Sequence, residues 1–171
     1  MDTHNLILIG MPGSGKSTVG RVLANALDMA FVDTDALVEQ RRGVSLQAIV
    51  DAEGPEGVLC AEADEALRLD CRDTVIATGG SMVYSETAMK ALEQLGPIIW
   101  LDVPLETLKT RVGSGDQRGL AMRPDQGLAD LATERLPLYQ RHATLRIDCN
   151  GLSPEEVSAA IVSRLSVRTG T

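Results

Sequence analysis

Positive charge is scarce in this sequence: 16 Lys and Arg stand against 24 Asp and Glu in 171 residues, a net charge of −8. A pI near 4.7 excludes the basic excess that general nucleic-acid binders and membrane-surface proteins need. Cysteine is sparse as well. Cys60, Cys71 and Cys149 have no CxxC or zinc-like spacing, and an odd count suits a reducing compartment. No apolar run approaches the roughly 20 residues that cross a bilayer, and Asp2 with its polar neighbours gives no signal-peptide pattern. Repeats, low-complexity tracts and linkers are missing too. The expectation is one soluble, cytoplasmic domain over 1–171, working as a monomer, with neither nucleic acid nor membrane as partner.

What the sequence does contain is an alternation of short apolar runs and amphipathic stretches. Leu6-Ile7-Leu8-Ile9, ended by Gly10, reads as a strand buried on both faces. Phe31-Val32 before Asp33, Thr74 to Ala77 before Gly79-Gly80, Ile98 to Leu101 before Asp102, and Leu145 to Asp148 supply four more. Val19, Val22, Leu23, Ala26 and Leu27 recur at helical spacing, and further helices are predicted over 36–52, 56–69, 85–95, 104–112 and 126–143. Ser153-Pro154-Glu155-Glu156 predicts a last helix with an N-cap serine, proline at the first helical position and a capping-box glutamate. Residues 166–171 read as a frayed tail. Strands alternating with helices predict right-handed crossovers and a mostly parallel sheet covered on both faces. Residues 113–124, polar and glycine-rich, break the rhythm and read as a mobile loop.

Gly10-Met11-Pro12-Gly13-Ser14-Gly15-Lys16-Ser17 fits G-x-x-x-x-G-K-[ST] between a strand and a helix. Glycines let backbone N–H groups wrap phosphates, the helix N-terminus adds positive charge, Lys16 reaches the β/γ-phosphates, and Ser17 offers a hydroxyl to Mg²⁺. A nucleoside triphosphate is the expected ligand. Asp33 and Asp35 lie at the end of the second strand, on the sheet edge where ligands of open α/β sheets bind. If both stay extended they point the same way, and phosphoryl transfer needs one carboxylate near Mg²⁺ and one at the attacking hydroxyl. Alternatively Asp35 only caps the next helix. A guanine-reading Asn-Lys-x-Asp stretch is missing, which argues against a regulatory GTPase.

Gly10–Thr18, Phe31-Val32-Asp33-Thr34-Asp35, Ala77-Thr78-Gly79-Gly80, Trp100-Leu101-Asp102-Val103-Pro104 and Glu134-Arg135-Leu136-Pro137-Leu138-Tyr139 together resemble the shikimate kinase family over essentially the whole chain. The resemblance implies a three-layer, nucleoside-monophosphate-kinase-like α/β fold with a five-stranded parallel sheet and a lid near 113–124. It implies Mg-ATP-dependent phosphorylation of a hydroxyl on shikimate, giving shikimate 3-phosphate, in aromatic amino-acid synthesis. It carries ATP binding to Gly13, Ser14, Gly15, Lys16, Ser17 and Thr18, and Mg²⁺ to Ser17 and Asp33. Asp35 becomes the base or orienter of the acceptor hydroxyl, and Gly79, Gly80 and Ser81 lie along the acceptor. Arg118 becomes the lid arginine over the transferred phosphoryl group, Arg111 a stacking partner for adenine or else a solvated side chain, and Arg135 a fork for the acceptor carboxylate.

Two positions depart from the family pattern. Leu59 stands where the family has a second carboxylate-clamping arginine, and no arginine lies between Arg42 and Arg68 to replace it. Ser81 replaces a third glycine, so its side chain either intrudes into the pocket or adds a hydrogen bond. Losing one charge-assisted hydrogen bond weakens binding about tenfold to a hundredfold. The alternative reading is a kinase of another small hydroxy or hydroxy-amino acid such as homoserine, whose ammonium could sit near Glu62. A nucleotide-binding regulator without phosphotransfer is a third. Glu62 has a family counterpart that supports the arginine missing here. The wider acidic run from Asp51 to Glu65 reads as a solvated face, and His4, His142, Cys60 and Cys71 as structural. Six of the thirteen arginines (111, 118, 123, 135, 141 and 146) fall in or beside the loop, which suggests a local cationic cluster that meets the ligands' negative charge.

Overall fold

The computed structural model describes residues 5–112, 123 and 125–168. Five short apolar runs form one parallel sheet: β1 (Leu6–Ile9), β2 (Ala30–Asp33), β3 (Thr74–Ala77), β4 (Ile98–Asp102) and β5 (Leu145–Asp148), in the order β2-β3-β1-β4-β5. The central strands are uninterrupted in apolar character because both faces are covered; Ile7, Leu8, Val75, Ile76, Ile98 and Ile99 are fully buried. Among the described residues seven helices complete the layers: α1 (Lys16–Leu27), α2 (Thr34–Arg42), α3 (Leu46–Arg68), α4 (Glu86–Leu95), α5 (Leu105–Val112), α6 (Leu128–His142) and α7 (Pro154–Arg168), with a 3-10 turn at Met82–Tyr84. Helix α1 packs on α7, while α2 packs on α3 and α3 on α4.

The chain crosses from one half of the sheet to the other between β3 and β4, so the strand order reverses at β1, and the loop after β1 opens into a crevice at the carboxyl ends of the strands. Register fixes what faces that crevice. Asp33 pairs with Ala77, so the carboxylates after β2 lie beside Thr78-Gly79-Gly80 after β3. Thr78 fastens that loop to β1, its N–H and hydroxyl both donating to the Leu8 carbonyl, and the Gly79 N–H donates to the Thr34 hydroxyl.

The strands are those expected from the sequence; two helices differ. The stretch 36–52 is not one helix: α2 ends at Gly43, which takes a left-handed φ of 67°, and Ser45 caps a new helix by accepting from the Ala48 N–H. Helix α3 bends at Gly54 (φ 73°, ψ −177°) ahead of Pro55, so the second helical piece begins where 56–69 was expected. The final helix has the expected reciprocal cap: Glu156 N–H donates to the Ser153 hydroxyl and Ser153 N–H to Glu156 Oε2. It runs on to Arg168, past the point where fraying was expected.

Candidate active site

The loop between β1 and α1 is built on left-handed glycines, Gly13 at φ 76° and Gly15 at φ 88°, conformations that L side chains rarely adopt. Gly13 also has no room, because a Cβ there would come within 2.6 Å of Val112 Cγ2. Gly15 occupies the N-cap of α1 without a side-chain cap, leaving the first N–H groups of the helix facing the crevice. The Ser14 Oγ, buried in this loop, has no hydrogen-bond partner among the described residues. Lys16 is almost fully buried and donates through Nζ to the carbonyls of Gly10 (2.9 Å) and Met11 (3.0 Å). Burial lowers its ammonium to about 8, against the raising effect of Asp35.

Asp33 and Asp35 reach the crevice by a different geometry from the extended one expected. Helix α2 starts at Thr34, and Asp33 is its cap: Oδ1 accepts from the Asp35 N–H at 3.1 Å. The capping role considered for Asp35 therefore belongs to Asp33, whose other oxygen accepts from the Ser17 hydroxyl at 2.5 Å. This leaves Asp35, in the first turn, free of capping. Its Oδ1 is buried without a hydrogen-bond partner among the described residues, and its carboxyl is pushed up to about 6, by burial first and by Asp33 second, with Lys16 opposing. A cavity of about 320 Å³ runs from the glycine loop past Lys16, Ser17 and Thr18 to Asp35, Thr78 and Gly80.

Beyond Asp35 the walls come from α3, the 3-10 turn and α6. Arg135 on α6 is 1% exposed; its guanidinium lies 5.2 Å from the centre of the Tyr84 ring and its Nε donates to the Tyr84 hydroxyl at 3.3 Å. A Cβ on Gly80 would lie 3.0 Å from Arg135 Nη1, so the cation sits directly over that backbone. Tyr139, stacked on Trp100, donates its hydroxyl to the Gly80 carbonyl at 2.9 Å. Ser81 does not intrude into the cavity: its buried hydroxyl donates to Glu62 Oε2 at 2.6 Å. Glu62, also buried, is pushed up to about 8, chiefly by desolvation and next by Asp35. Leu59 lines a neighbouring cavity of about 380 Å³ with Glu56, Tyr84, Arg123 and Glu134, so it borders the Arg135 region through Tyr84.

On the other side of the glycine loop, Gly13, Thr18, Arg111, Cys149, Leu152 and Val157 line a cavity of about 280 Å³. Arg111, exposed, donates through Nη1 to the Gly13 carbonyl at 3.3 Å. Arg118 and most of the expected lid (113–122 and 124) lie outside the described residues, as does His4; His142 pairs with Glu93 on the surface at 2.8 Å. The expected cationic cluster is smaller than the sequence suggests. Among the described residues Arg141 is paired with Glu86, Arg146 with Asp102 and Arg123 with Glu134, so Lys16, Arg111 and Arg135 are the cations at the crevice.

Sequence reasoning missed Tyr84, Tyr139 and the Ser81–Glu62 bond. Tyr139 ended a recognised motif, but nothing in the pattern pairs it with Gly80, 59 residues away. Tyr84 carried no signal, because its place depends on the 3-10 turn after Ser81.

The family model for shikimate kinase matches residues 12–166. A shikimate kinase of Symbiobacterium thermophilum is 42% identical over 96% of this chain and 97% of its own, and one from Mycobacterium avium is 40% identical over 93% and 92%. Among solved structures, the Acinetobacter baumannii shikimate kinase in complex with shikimate superposes with a TM-score of 0.92 at 29% identity, covering 99% of this chain and 97% of that one. A deoxyadenosine kinase from M. mycoides shares the fold, with a TM-score of 0.59 at 13% identity over 95% of this chain and 99% of its own. Phosphate loop, paired aspartates, glycine turn and buried arginine thus sit in one crevice of a fold matched along nearly its whole length: the chain belongs to the shikimate kinase family of ATP-dependent kinases.

Proposed function

We propose that this protein transfers the γ-phosphoryl group of ATP to a hydroxyl of shikimate, giving shikimate 3-phosphate and ADP. The observation that carries the reading is the buried Arg135 guanidinium standing over Gly80 at the far end of the cavity that begins at the phosphate loop. That arrangement supports a carboxylate-binding fork beside Gly80, with the glycine loop and Asp35 along the same cavity as phosphate cradle and acceptor contact. The matched relatives are shikimate kinases, and the homoserine alternative suggested by Leu59 and Ser81 gains no support from them.

Gly13, Ser14, Gly15, Lys16, Ser17 and Thr18 hold the triphosphate, with the Ser14 hydroxyl and the first N–H groups of α1 as donors. Ser17 and Asp33 suit Mg²⁺: both offer hard oxygens, 2.5 Å apart, and such sites take one or two protein ligands and complete the shell from phosphate and water. An ion held by Ser17 and Asp33 would supply positive charge to offset the negative charge of the transferring phosphates. Asp35 orients the acceptor hydroxyl and takes its proton. The hydroxyl oxygen then bonds to the γ-phosphorus as the bond to the ADP oxygen breaks. Lys16 stabilises the charge that collects on the phosphoryl oxygens, and Arg118 supplies a second cation there. Arg135 forks the carboxylate, Gly79, Gly80 and Ser81 line the acceptor, Leu59 borders it, and Arg111 flanks the base. The reading extends to a single catalytic domain acting as a monomer in the cytoplasm; no helix among the described residues is long and apolar enough to cross a membrane.

The test is ADP release by the purified protein with Mg-ATP and either shikimate or homoserine, with the phosphorylated product identified by mass. Shikimate-dependent turnover abolished by Asp35→Ala or by chelating Mg²⁺ is the expected result. Turnover of homoserine alone overturns the assignment of the acceptor, and ATP binding without any turnover overturns the activity.

A further inference from the structure

Glu134 and Arg135 follow one another on α6, and successive residues of a helix point in different directions. Tyr84 joins their side chains. The 3-10 turn carries its ring to 5.2 Å from the Arg135 guanidinium, and its hydroxyl accepts from Arg135 Nε at 3.3 Å while donating to Glu134 Oε2 at 2.9 Å. Burial pushes this hydroxyl up from its ordinary value, so it keeps the proton that the second bond uses. The other carboxylate oxygen, Glu134 Oε1, accepts from Arg123 Nη2 at 3.0 Å and from Gln126 Nε2 at 2.9 Å. Arg123 and Gln126 close a turn on each other: the Gln126 N–H donates to the Arg123 carbonyl and the Arg123 N–H to Gln126 Oε1. A chain of hydrogen bonds thus runs from that turn, through Glu134 and Tyr84, to the buried Arg135.

Two contacts define the plane of a guanidinium where one would let it swivel. Arg135 has Nε on the Tyr84 hydroxyl and Nη1 over the Gly80 backbone. A hydroxyl that donates to a carboxylate is also the better acceptor, because bonds in a chain polarise one another. We propose that Tyr84 is a positioning residue for the acceptor: with its hydroxyl held by Glu134, it sets the plane in which Arg135 presents its fork. This rests on Arg135 being the carboxylate fork of the kinase reading. Tyr84, Arg123 and Glu134 line the cavity that Leu59 borders, and the apolar Leu59 side chain offers no hydrogen bond that could substitute for the one from Tyr84.

The experiment measures kcat and the KM values for shikimate and ATP in wild type, Tyr84→Phe, Glu134→Ala, Arg135→Met and the double variant Tyr84→Phe with Arg135→Met. Tyr84→Phe keeps the ring and removes the hydroxyl. It should raise the shikimate KM about threefold to tenfold, the range of one net hydrogen bond, with kcat and the ATP KM nearly unchanged. Glu134→Ala should raise it about twofold to fivefold, as for an exposed pair. In the Arg135→Met background Tyr84→Phe should cost nothing further in kcat/KM, because the fork it orients is gone. A side chain needed only for packing would keep its effect there. If Tyr84→Phe proves unstable, Glu134→Ala, at an exposed position, takes its place in each comparison. An unchanged shikimate KM, equal rises in both KM values, or the same loss with and without Arg135 overturns the role while leaving the kinase activity standing. Wild type without shikimate-dependent turnover refutes the activity itself, and this role with it.

Discussion

At Asp35 function and stability oppose each other. Its Oδ1 is buried without a partner among the described residues, and its carboxyl binds a proton up to about pH 6 where an ordinary one lets go near 3.8. A folded state that holds the proton more tightly than the unfolded chain is most favoured below the ordinary value. That advantage is lost as pH rises through about 6. Asp35→Asn mimics the protonated form, so at pH 7.5 it should raise stability by about 1–2 kcal/mol in urea unfolding while abolishing turnover; the gain should disappear at pH 4. Unchanged or lower stability at pH 7.5 would show that the carboxylate is satisfied in the native state. The same titration predicts that wild-type kcat/KM for the acceptor falls below about pH 6, where Asp35 no longer accepts the hydroxyl proton. Lys16 was legible as a candidate from the glycine-loop spacing that opens α1, and Asp33 and Asp35 from their place at and just past the end of β2. Which aspartate caps α2 was not, since that depends on the helix starting at Thr34 rather than later. The Ser81–Glu62 bond was not either: sequence showed two residues 19 apart, and only the packing of α3 against the 3-10 turn brings them into contact.

At the scale of elements, the bend in α3 sets the direction of the proposed acceptor wall. Gly54, at φ 73° and ψ −177°, takes a backbone conformation essentially confined to glycine, and Pro55 then opens the second helical piece, which carries Leu59 and Glu62. Open space surrounds a Cβ at Gly54, so Gly54→Ala carries backbone strain alone. It should cost about 1–3 kcal/mol in thermal or urea unfolding. Because relief of the strain re-aims the following turns, it should also raise the acceptor KM more than the ATP KM. A substitution that lowers stability yet leaves both KM values alike would show that the bend does not position Glu62. The strands were legible as apolar runs because a doubly covered parallel sheet demands them. The break between α2 and α3 was not, because periodicity passes smoothly through Gly43 and only its left-handed φ ends α2, whereas the bend at Gly54 falls in the gap expected between 52 and 56.

For the whole molecule, an excess of eight negative charges and two anionic substrates are reconciled by distribution. Pairing with Glu86, Asp102 and Glu134 takes Arg141, Arg146 and Arg123 out of the count, and the cations left at the crevice lie on opposite sides of the phosphate loop. Arg111 belongs to the side built from β5, α7 and the end of α5; Arg135 and Gly80 belong to the side reached through β3. The strand reversal at β1 sets the two sides on either hand of the loop and Lys16, which border both. Substitutions on the two sides should therefore act independently. Arg111→Ala should raise the KM for ATP severalfold and spare the acceptor. Arg135→Met, which keeps much of the buried stem but removes the fork, should raise the acceptor KM about tenfold to a hundredfold and spare ATP. The double variant should lose the product of the two factors, so that the two transition-state free-energy losses add within about 0.5 kcal/mol. A clear departure from that product would mean that the halves communicate, and the loop shared between them, with Lys16 bonded to the Gly10 and Met11 carbonyls, is the connection through which they could.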